Sequence, residues 1–247
     1  VAQIAAGDVV FDVDAVAFDK DGTLIDLDAA WGPAGRHWVE AAAGEDPELA
    51  SDLALELGYD FATERLVKGG LFAVGTVGQL YETTVSVLVE RGIDRTAAED
   101  IARTARKASA EAGEKGNLVA LGDVLGTMRS LRETGLQLAV VSSDDRSAID
   151  AAISFLGVGP LLAAVVAGDE GLPAKPAPDA LLAAADRMGV AADRLLYVGD
   201  SWVDAAAGLA AGIAGTVLVG EPTPQASELA SALVPTVDGL KVVSRKR

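Results

Sequence analysis

The sequence contains no cysteine and only one histidine, His37. Disulfides, thiolate metal sites, cysteine nucleophiles and histidine-cluster zinc sites are therefore excluded. Aromatic residues make up only 4% of the 247 residues, against 50% hydrophobic residues overall. The interior must then be aliphatic and alanine-rich, which favours helices packed on Val/Leu strands over an aromatic-filled sandwich. Positive charge is scarce too: 20 Lys and Arg stand against 37 Asp and Glu, a net charge of −17. That field repels a nucleic-acid backbone or an anionic membrane surface, so neither is expected as a partner. An anionic substrate would need a locally positive site, built from a metal ion, a placed lysine or helix-end amides. No segment approaches the roughly 18 unbroken apolar residues of a membrane helix. The opening stretch lacks a basic n-region and is interrupted by Asp8, Asp12 and Asp14, so a cytoplasmic protein is expected.

Short apolar runs ending in a polar or small residue recur at 15–19 (AVAFD), 136–142 (LQLAVVS), 162–169 (LAAVVAGD), 195–200 (LLYVGD) and 216–220 (TVLVG). They read as buried parallel strands. Helical periodicity fills Val124–Thr134, Ser147–Leu156, Pro178–Met188 and Trp202–Ala211, with Gly135, Gly157, Gly189 and Gly212 just beyond their ends. Alternating strands and helices predict an α/β fold with a doubly wound parallel sheet. The interval 26–116 is too long for one crossover and reads as almost wholly helical, with candidate helices at Ala29–Ala43, Pro47–Leu57, Val77–Arg91 and Thr96–Glu114. The expected organisation is a core of residues 1–25 and 117–247 with a helical insertion over 26–116. Its crossings are expected near Leu24–Asp28 and Gly113–Gly122, the second rich in glycine (Gly113, Gly116, Gly122). The tail SRKR (244–247) reads as a frayed basic end.

The first predicted strand runs into Asp19-Lys20-Asp21-Gly22-Thr23. Side chains two apart in extended backbone point the same way, so Asp19 and Asp21 can face one space beyond the strand's carboxyl end, where open α/β sheets bind ligands. One carboxylate held against a cation can act as a nucleophile, and the other can donate a proton to a leaving group and later take one from water. Gly22 permits a sharp turn and Thr23 can hydrogen-bond locally to hold it. The plainer reading is an acidic strand end that starts a turn. After the second run, Ser142 and Ser143 offer hydroxyls and amides to a phosphate, although serine before a helix is commonly an N-cap. Lys175 lies between prolines in Ala174-Lys175-Pro176 and is one of only seven lysines; a fixed ammonium there suits a dianion. After the fourth run, Asp200 and Asp204 are one helical turn apart and can approach one cation or one lysine, although Asp204 could equally be a helix cap. Asp19, Asp21, Asp200 and Asp204 together would repel one another without a hard cation, and Mg²⁺ suits such oxygen donors.

FDKDGTL, VVSS, AKPAPD and VGDSWVD resemble the four motifs of the haloacid dehalogenase superfamily in their usual order, and the helical insertion resembles its C1-type cap. Within it the chain is most similar to phosphoglycolate-phosphatase-like hydrolases. The resemblance implies a Mg²⁺-dependent phosphatase acting on a small phosphorylated metabolite. By it, Asp19 is the nucleophile that forms an aspartyl-phosphate and Asp21 the general acid and base. Thr23, Ser142, Ser143 and Lys175 hold the phosphate; Asp19, Asp21 (through its carbonyl) and Asp200 hold the metal; and Asp204 sits behind them or steers Lys175.

The acid at Asp21 argues against carbon–halogen cleavage, which relatives lacking that acid perform. Phosphonate-cleaving relatives lack it as well and use a cap lysine, so Lys68 alone does not support them. Many relatives carry Asn where Ser143 stands, and the following Asp144 and Asp145 either start the helix in solvent or face inward. Arg36, His37, Arg65 and Lys68 are the candidate contacts for a distal anionic group, with Lys68-Gly69-Gly70 the preferred specificity loop. Trp31 and Trp38 read as core of the insertion. Neither a P-loop nor a dinucleotide fingerprint is present, and His37 lacks a nucleophile elbow. A phosphosugar mutase and a non-catalytic binding module are the alternatives on the same fold; a receiver domain would have no cap. A monomer or homodimer is expected.

Overall fold

The computed structural model describes residues 2–113 and 118–245. In chain order, β1 (Ala2–Ala6) and β2 (Val9–Val13) form a hairpin, and β3 (Ala15–Phe18) follows at once. Then come α1 (Leu27–Ala43), α2 (Pro47–Leu57), β4 (Tyr59–Asp60), β5 (Arg65–Leu66), α3 (Leu71–Val74), α4 (Val77–Glu90) and α5 (Arg95–Gly113). The remainder is α6 (Val124–Glu133), β6 (Gln137–Val141), α7 (Arg146–Leu156), β7 (Ala164–Val166), α8 (Asp179–Met188), β8 (Leu195–Gly199), α9 (Trp202–Ala211), β9 (Gly215–Val219), α10 (Pro224–Leu229), β10 (Ala232–Val234) and β11 (Leu240–Arg245). Residues up to Asp26 and from Ala120 onward make one compact unit, and Leu27–Val119 makes a second. The chain leaves and re-enters the first unit side by side, since Ile25 bridges Ala120 antiparallel and the Leu121 amide donates to the Leu24 carbonyl at 3.0 Å.

The first unit is built on a six-stranded parallel sheet in the order β10-β9-β8-β3-β6-β7. It winds in both directions from the central β3, the doubly wound arrangement expected. Every residue of β3, β8 and β9 is buried, because helices cover both faces of such a sheet, and this is why these strands read as unbroken apolar runs. Small residues let the helices approach closely. On one face Leu181, Ala184 and Ala185 of α8 pack with Ala15, Ala17, Ala139 and Tyr197. Gly157, Gly189 and Gly212 close their helices in the left-handed conformation.

Two features of this unit differ from the sequence expectation. β10 extends the sheet by one strand beyond the five expected. The opening stretch pairs with the end of the chain: β1 lies antiparallel between β2 and β11. Alternation explains it, since Ile4, Phe11 and Val13 point inward and are buried. Ser244 and Arg245 are therefore strand residues, not a frayed tail, while 246–247, Glu114 and Gly116 lie outside the described residues.

The helical unit encloses its own core around Trp38, Leu53, Leu57 and Leu88. α5 offers α1 a narrow stripe of Ala98, Ala102, Ala105 and Ser109, all buried, at the spacing of one helix face. The Trp38 indole donates to Thr84 Oγ1 at 2.9 Å, so the one polar atom of this buried ring is satisfied. Trp31 packs at the edge of the same core. The hairpin β4–β5 and the single turn α3 interrupt the helices. No helix of the described residues is long and apolar enough to cross a membrane.

At Gly208, α9 packs closely against β9. A Cβ there would lie 2.0 Å from Thr216 Oγ1 on β9. Gly208→Ala is expected to lower stability by about 1–3 kcal/mol through overpacking, despite the better helix propensity of alanine. Urea unfolding measures it, and an unchanged midpoint would contradict this packing.

Candidate active site

Parallel pairing of β3 with both β6 and β8 aligns their carboxyl ends, so Asp19, Ser142 and Asp200 emerge along one edge of the sheet. The Asp19 amide donates to the Val198 carbonyl at 2.8 Å, carrying the ladder one residue past β3. The chain then turns sharply. The Gly22 amide donates to the Ile25 carbonyl at 2.8 Å, and the Leu24 and Ile25 amides donate to the Lys20 carbonyl at 2.8 and 3.0 Å. Gly22 has φ +74°, and a Cβ there would lie 2.1 Å from Asp200 Oδ2. Glycine is thus required both by backbone conformation and by the approach of the Asp200 carboxylate. Thr23 does not hold the turn as expected: its hydroxyl is fully buried and makes no hydrogen bond. Backbone bonds do that work instead.

Lys175 is buried and joins the tips of β3 and β8. Its ammonium donates to Asp19 Oδ1 at 2.7 Å, to Asp204 Oδ1 at 2.6 Å and to Tyr197 Oη at 3.1 Å. The Tyr197 hydroxyl in turn lies 3.1 Å from Asp204 Oδ1. The other oxygen of Asp204 accepts from the Ser201 amide at 3.1 Å, the Asp200 amide at 3.3 Å and the Ser201 hydroxyl. Asp204 therefore both caps α9 and fixes the lysine. Its carboxyl stays below the ordinary range despite burial, because Lys175 and Ser201 favour the charged form. Burial pushes Asp19 up to about 7, with Lys175 opposing and the Asp204 and Asp21 charges adding to the rise. Asp200 is raised well above its ordinary value by burial and by the nearby charges of Asp204 and Asp19.

A second buried lysine was not anticipated. Lys20 lies 2.5 Å from Asp21 Oδ1 and 2.9 Å from Asp144 Oδ2. Burial opposes its charge, yet Asp21 and Asp144 hold it firmly protonated. Of the two acids after Ser143, Asp144 thus faces inward, whereas Asp145 occupies the N-cap position of α7 without a side-chain capping bond. Ser142 is buried, and its hydroxyl accepts from the Asp144 amide at 3.2 Å. It stands three residues before the cap, so it is not itself a helix cap. Ser143 is half-buried beside it, its carbonyl against Gly168, where a Cβ would lie 2.0 Å away. Tyr197 was missed as well; the signal available was a lone hydroxyl in an otherwise apolar central strand.

In the helical unit, Arg36 pairs with Glu40 and Glu64 at 2.8 and 2.6 Å, and Arg65 pairs with Asp28 at 2.7 Å. His37 Nδ1 lies 2.8 Å from the Pro33 carbonyl, and Lys68 is exposed.

The chain matches the family model described as haloacid dehalogenase-like hydrolase over residues 13–212. It belongs to that family. It is 31% identical over 208 residues to the phosphoglycolate phosphatase of Shigella boydii serotype 4, covering 81% of this chain and 79% of that protein. A Thermotoga maritima structure provisionally named β-phosphoglucomutase superimposes with TM-score 0.64 at 19% identity over 91% of this chain and 95% of that one. CbbY from Rhodobacter sphaeroides, solved in complex with phosphate, does so with TM-score 0.59 at 18% identity over 91% and 95%. These two likenesses concern the fold.

Haloacid dehalogenase-like hydrolases generally use a metal ion, and the oxygen-only donors here suit a hard cation. Asp19, Asp200 and Asp204 each offer a carboxylate oxygen within 4.8 Å of the others. Their partners distinguish them. Both oxygens of Asp204 already accept several donors, whereas the Asp200 carboxylate accepts no hydrogen bond among the described residues. A carboxylate crowded by two others and lacking a donor is a fit ligand for a cation.

Lys175→Met would leave Asp19 and Asp204 facing each other without the ammonium. Near neutral pH this is expected to cost about 3–5 kcal/mol in urea unfolding, the range for breaking a buried pair. The deficit should shrink as pH is lowered: unpaired buried carboxylates have raised folded-state pKa values, so the folded variant gains stability by taking up protons. A deficit independent of pH would show that Lys175 does not act through these acids.

Proposed function

We propose that the protein is a Mg²⁺-dependent phosphatase that hydrolyses a small phosphomonoester, of the phosphoglycolate type, through an aspartyl-phosphate on Asp19. The observation that carries this reading is the placement of Asp19: one oxygen is held by Lys175, at a sheet edge shared with Asp21, Ser142 and Asp200. The phosphatase relatives support it.

Asp19, Asp200 and the Asp21 carbonyl are the groups that would hold Mg²⁺, which when bound supplies positive charge to the phosphate oxygens. Lys175 contributes a second positive charge, and the Ser142, Ser143 and Thr23 hydroxyls are assigned as the hydrogen-bonding groups for the phosphate. Lys175 occupies Asp19 Oδ1, so Oδ2 is the attacking oxygen. It forms a bond to phosphorus as the bond to the ester oxygen breaks, and Asp21 donates its proton to the departing alcohol. Asp21 then accepts a proton from water, which attacks phosphorus, releases phosphate and restores the Asp19 carboxylate. Pre-placed charge supplies much of the stabilisation, because little of it must reorganise during reaction.

The helical unit is read as the cap that selects the substrate. Arg36, His37, Arg65 and Lys68 are its candidate contacts, Arg36 and Arg65 also pairing with neighbouring acids, and the Lys68-Gly69-Gly70 loop is the preferred specificity element.

With Mg²⁺, a panel of small phosphorylated acids and sugars is expected to give free phosphate from at least one member. Asp19→Asn should abolish that release, and chelation should abolish it until Mg²⁺ is restored. Equal release by wild type and Asp19→Asn would overturn the nucleophile. Turnover that isomerises a phosphosugar, requires a bisphosphate and frees little phosphate would identify a mutase.

A further inference from the structure

Strand alternation sets the expectation for Lys20. Between Asp19 and Asp21 its side chain should turn away from theirs. It nevertheless curls back, buried, so that its ammonium meets Asp21 Oδ1 at 2.5 Å and Asp144 Oδ2 at 2.9 Å. An apolar side chain would fill the same space without the cost of desolvating an ammonium and a carboxylate. The arrangement therefore calls for a role beyond filling space.

Asp144 is a firm anchor. Its amide donates to Ser142 Oγ at 3.2 Å and its carbonyl accepts from the Gly168 amide at 2.8 Å. Its Oδ2 is buried and makes no hydrogen bond apart from the ion pair with Lys20. Lys20 thus ties the loop after β3 to the loop after β6, and the free end of the tie lies on one oxygen of Asp21.

We infer that Lys20, anchored by Asp144, is a positioning residue that fixes the orientation in which the Asp21 carboxyl gives its proton to the leaving group. This deepens the phosphatase reading and rests on it. A proton donor is worth most when the departing group is a poor one. An alkoxide needs the proton as its bond breaks; nitrophenolate does not. A strut that orients the donor must therefore matter for alkyl phosphates and little for nitrophenyl phosphate. A role confined to stability or to phosphate binding would affect both alike.

The test compares kcat/KM for a small alkyl phosphate with kcat/KM for para-nitrophenyl phosphate. This parameter covers only the steps through departure of the first product, so later hydrolysis of the aspartyl-phosphate does not enter. Lys20→Met is expected to lower the alkyl value by about 100-fold and the nitrophenyl value by no more than about 3-fold, on the scale of general acid catalysis. Lys20→Arg should recover most of the alkyl activity. Because Lys20→Met leaves Asp144 buried and unpaired, Lys20→Met/Asp144→Leu removes both charges and is expected to keep the same discrimination with the fold retained. Asp144→Asn should discriminate in the same direction by a smaller factor. Equal losses on both substrates, or no loss, in the double variant would overturn the strut. A wild type inactive on every phosphate, or an Asp19→Asn as active as wild type, would instead overturn the phosphatase reading.

Discussion

One buried ammonium sets the terms for the rest of the molecule. Lys175 reaches Asp19 at the end of β3 and Asp204 in the first turn of α9, two positions far apart in the chain. Holding an ammonium and two carboxylates away from water is costly unless each has close partners. Those partners come from the end of β3, from β8 and from the helix that follows β8, so the pairing of β3 with β8 is also what makes the charge cluster tolerable. Tyr197, at the centre of β8, completes the lining and takes up part of the remaining hydrogen-bonding capacity.

The global and local fields are opposed. The chain carries −17 overall, and the sheet edge gathers more acids around Asp19, Asp21, Asp144, Asp200 and Asp204. Two lysines are set among them, each bridging a pair of carboxylates: Lys175 on Asp19 and Asp204, Lys20 on Asp21 and Asp144. This leaves Asp200 as the member without a donor among the described residues, which suits a family that generally uses a metal ion. Asp19, Asp200 and Asp204 share a single ammonium among three carboxylates, so this corner of the site is short of positive charge.

Much of this could be read from the residues alone, for identifiable reasons. Strands buried on both faces are continuous apolar runs, so β3, β6, β7, β8 and β9 stood out, and glycines in the left-handed conformation marked the helix ends. The aspartates at strand tips followed from position alone, because a parallel sheet puts all its carboxyl ends on one side. What escaped was pairing that depends on distant partners. β1 and β11 are short, and nothing local says that they meet. Lys20 was obscured because alternation sends it the wrong way, and Asp144 could be placed in solvent or inside with equal ease. Thr23 was assigned a hydrogen bond that the backbone of the turn made unnecessary.

The contact between Ile25 and Ala120 has a consequence for how such a protein can be built. Since the polymer departs and returns at adjoining points, everything between them is, to the sheet, one closed excursion. The entropy of closing an excursion rises only with the logarithm of its length, about 0.6 kcal/mol per doubling. Segments of very different size can therefore be spliced into this socket while the strand order, and with it the chemistry at the strand tips, stays as it is; one part of the gene is free to diversify while another is held still.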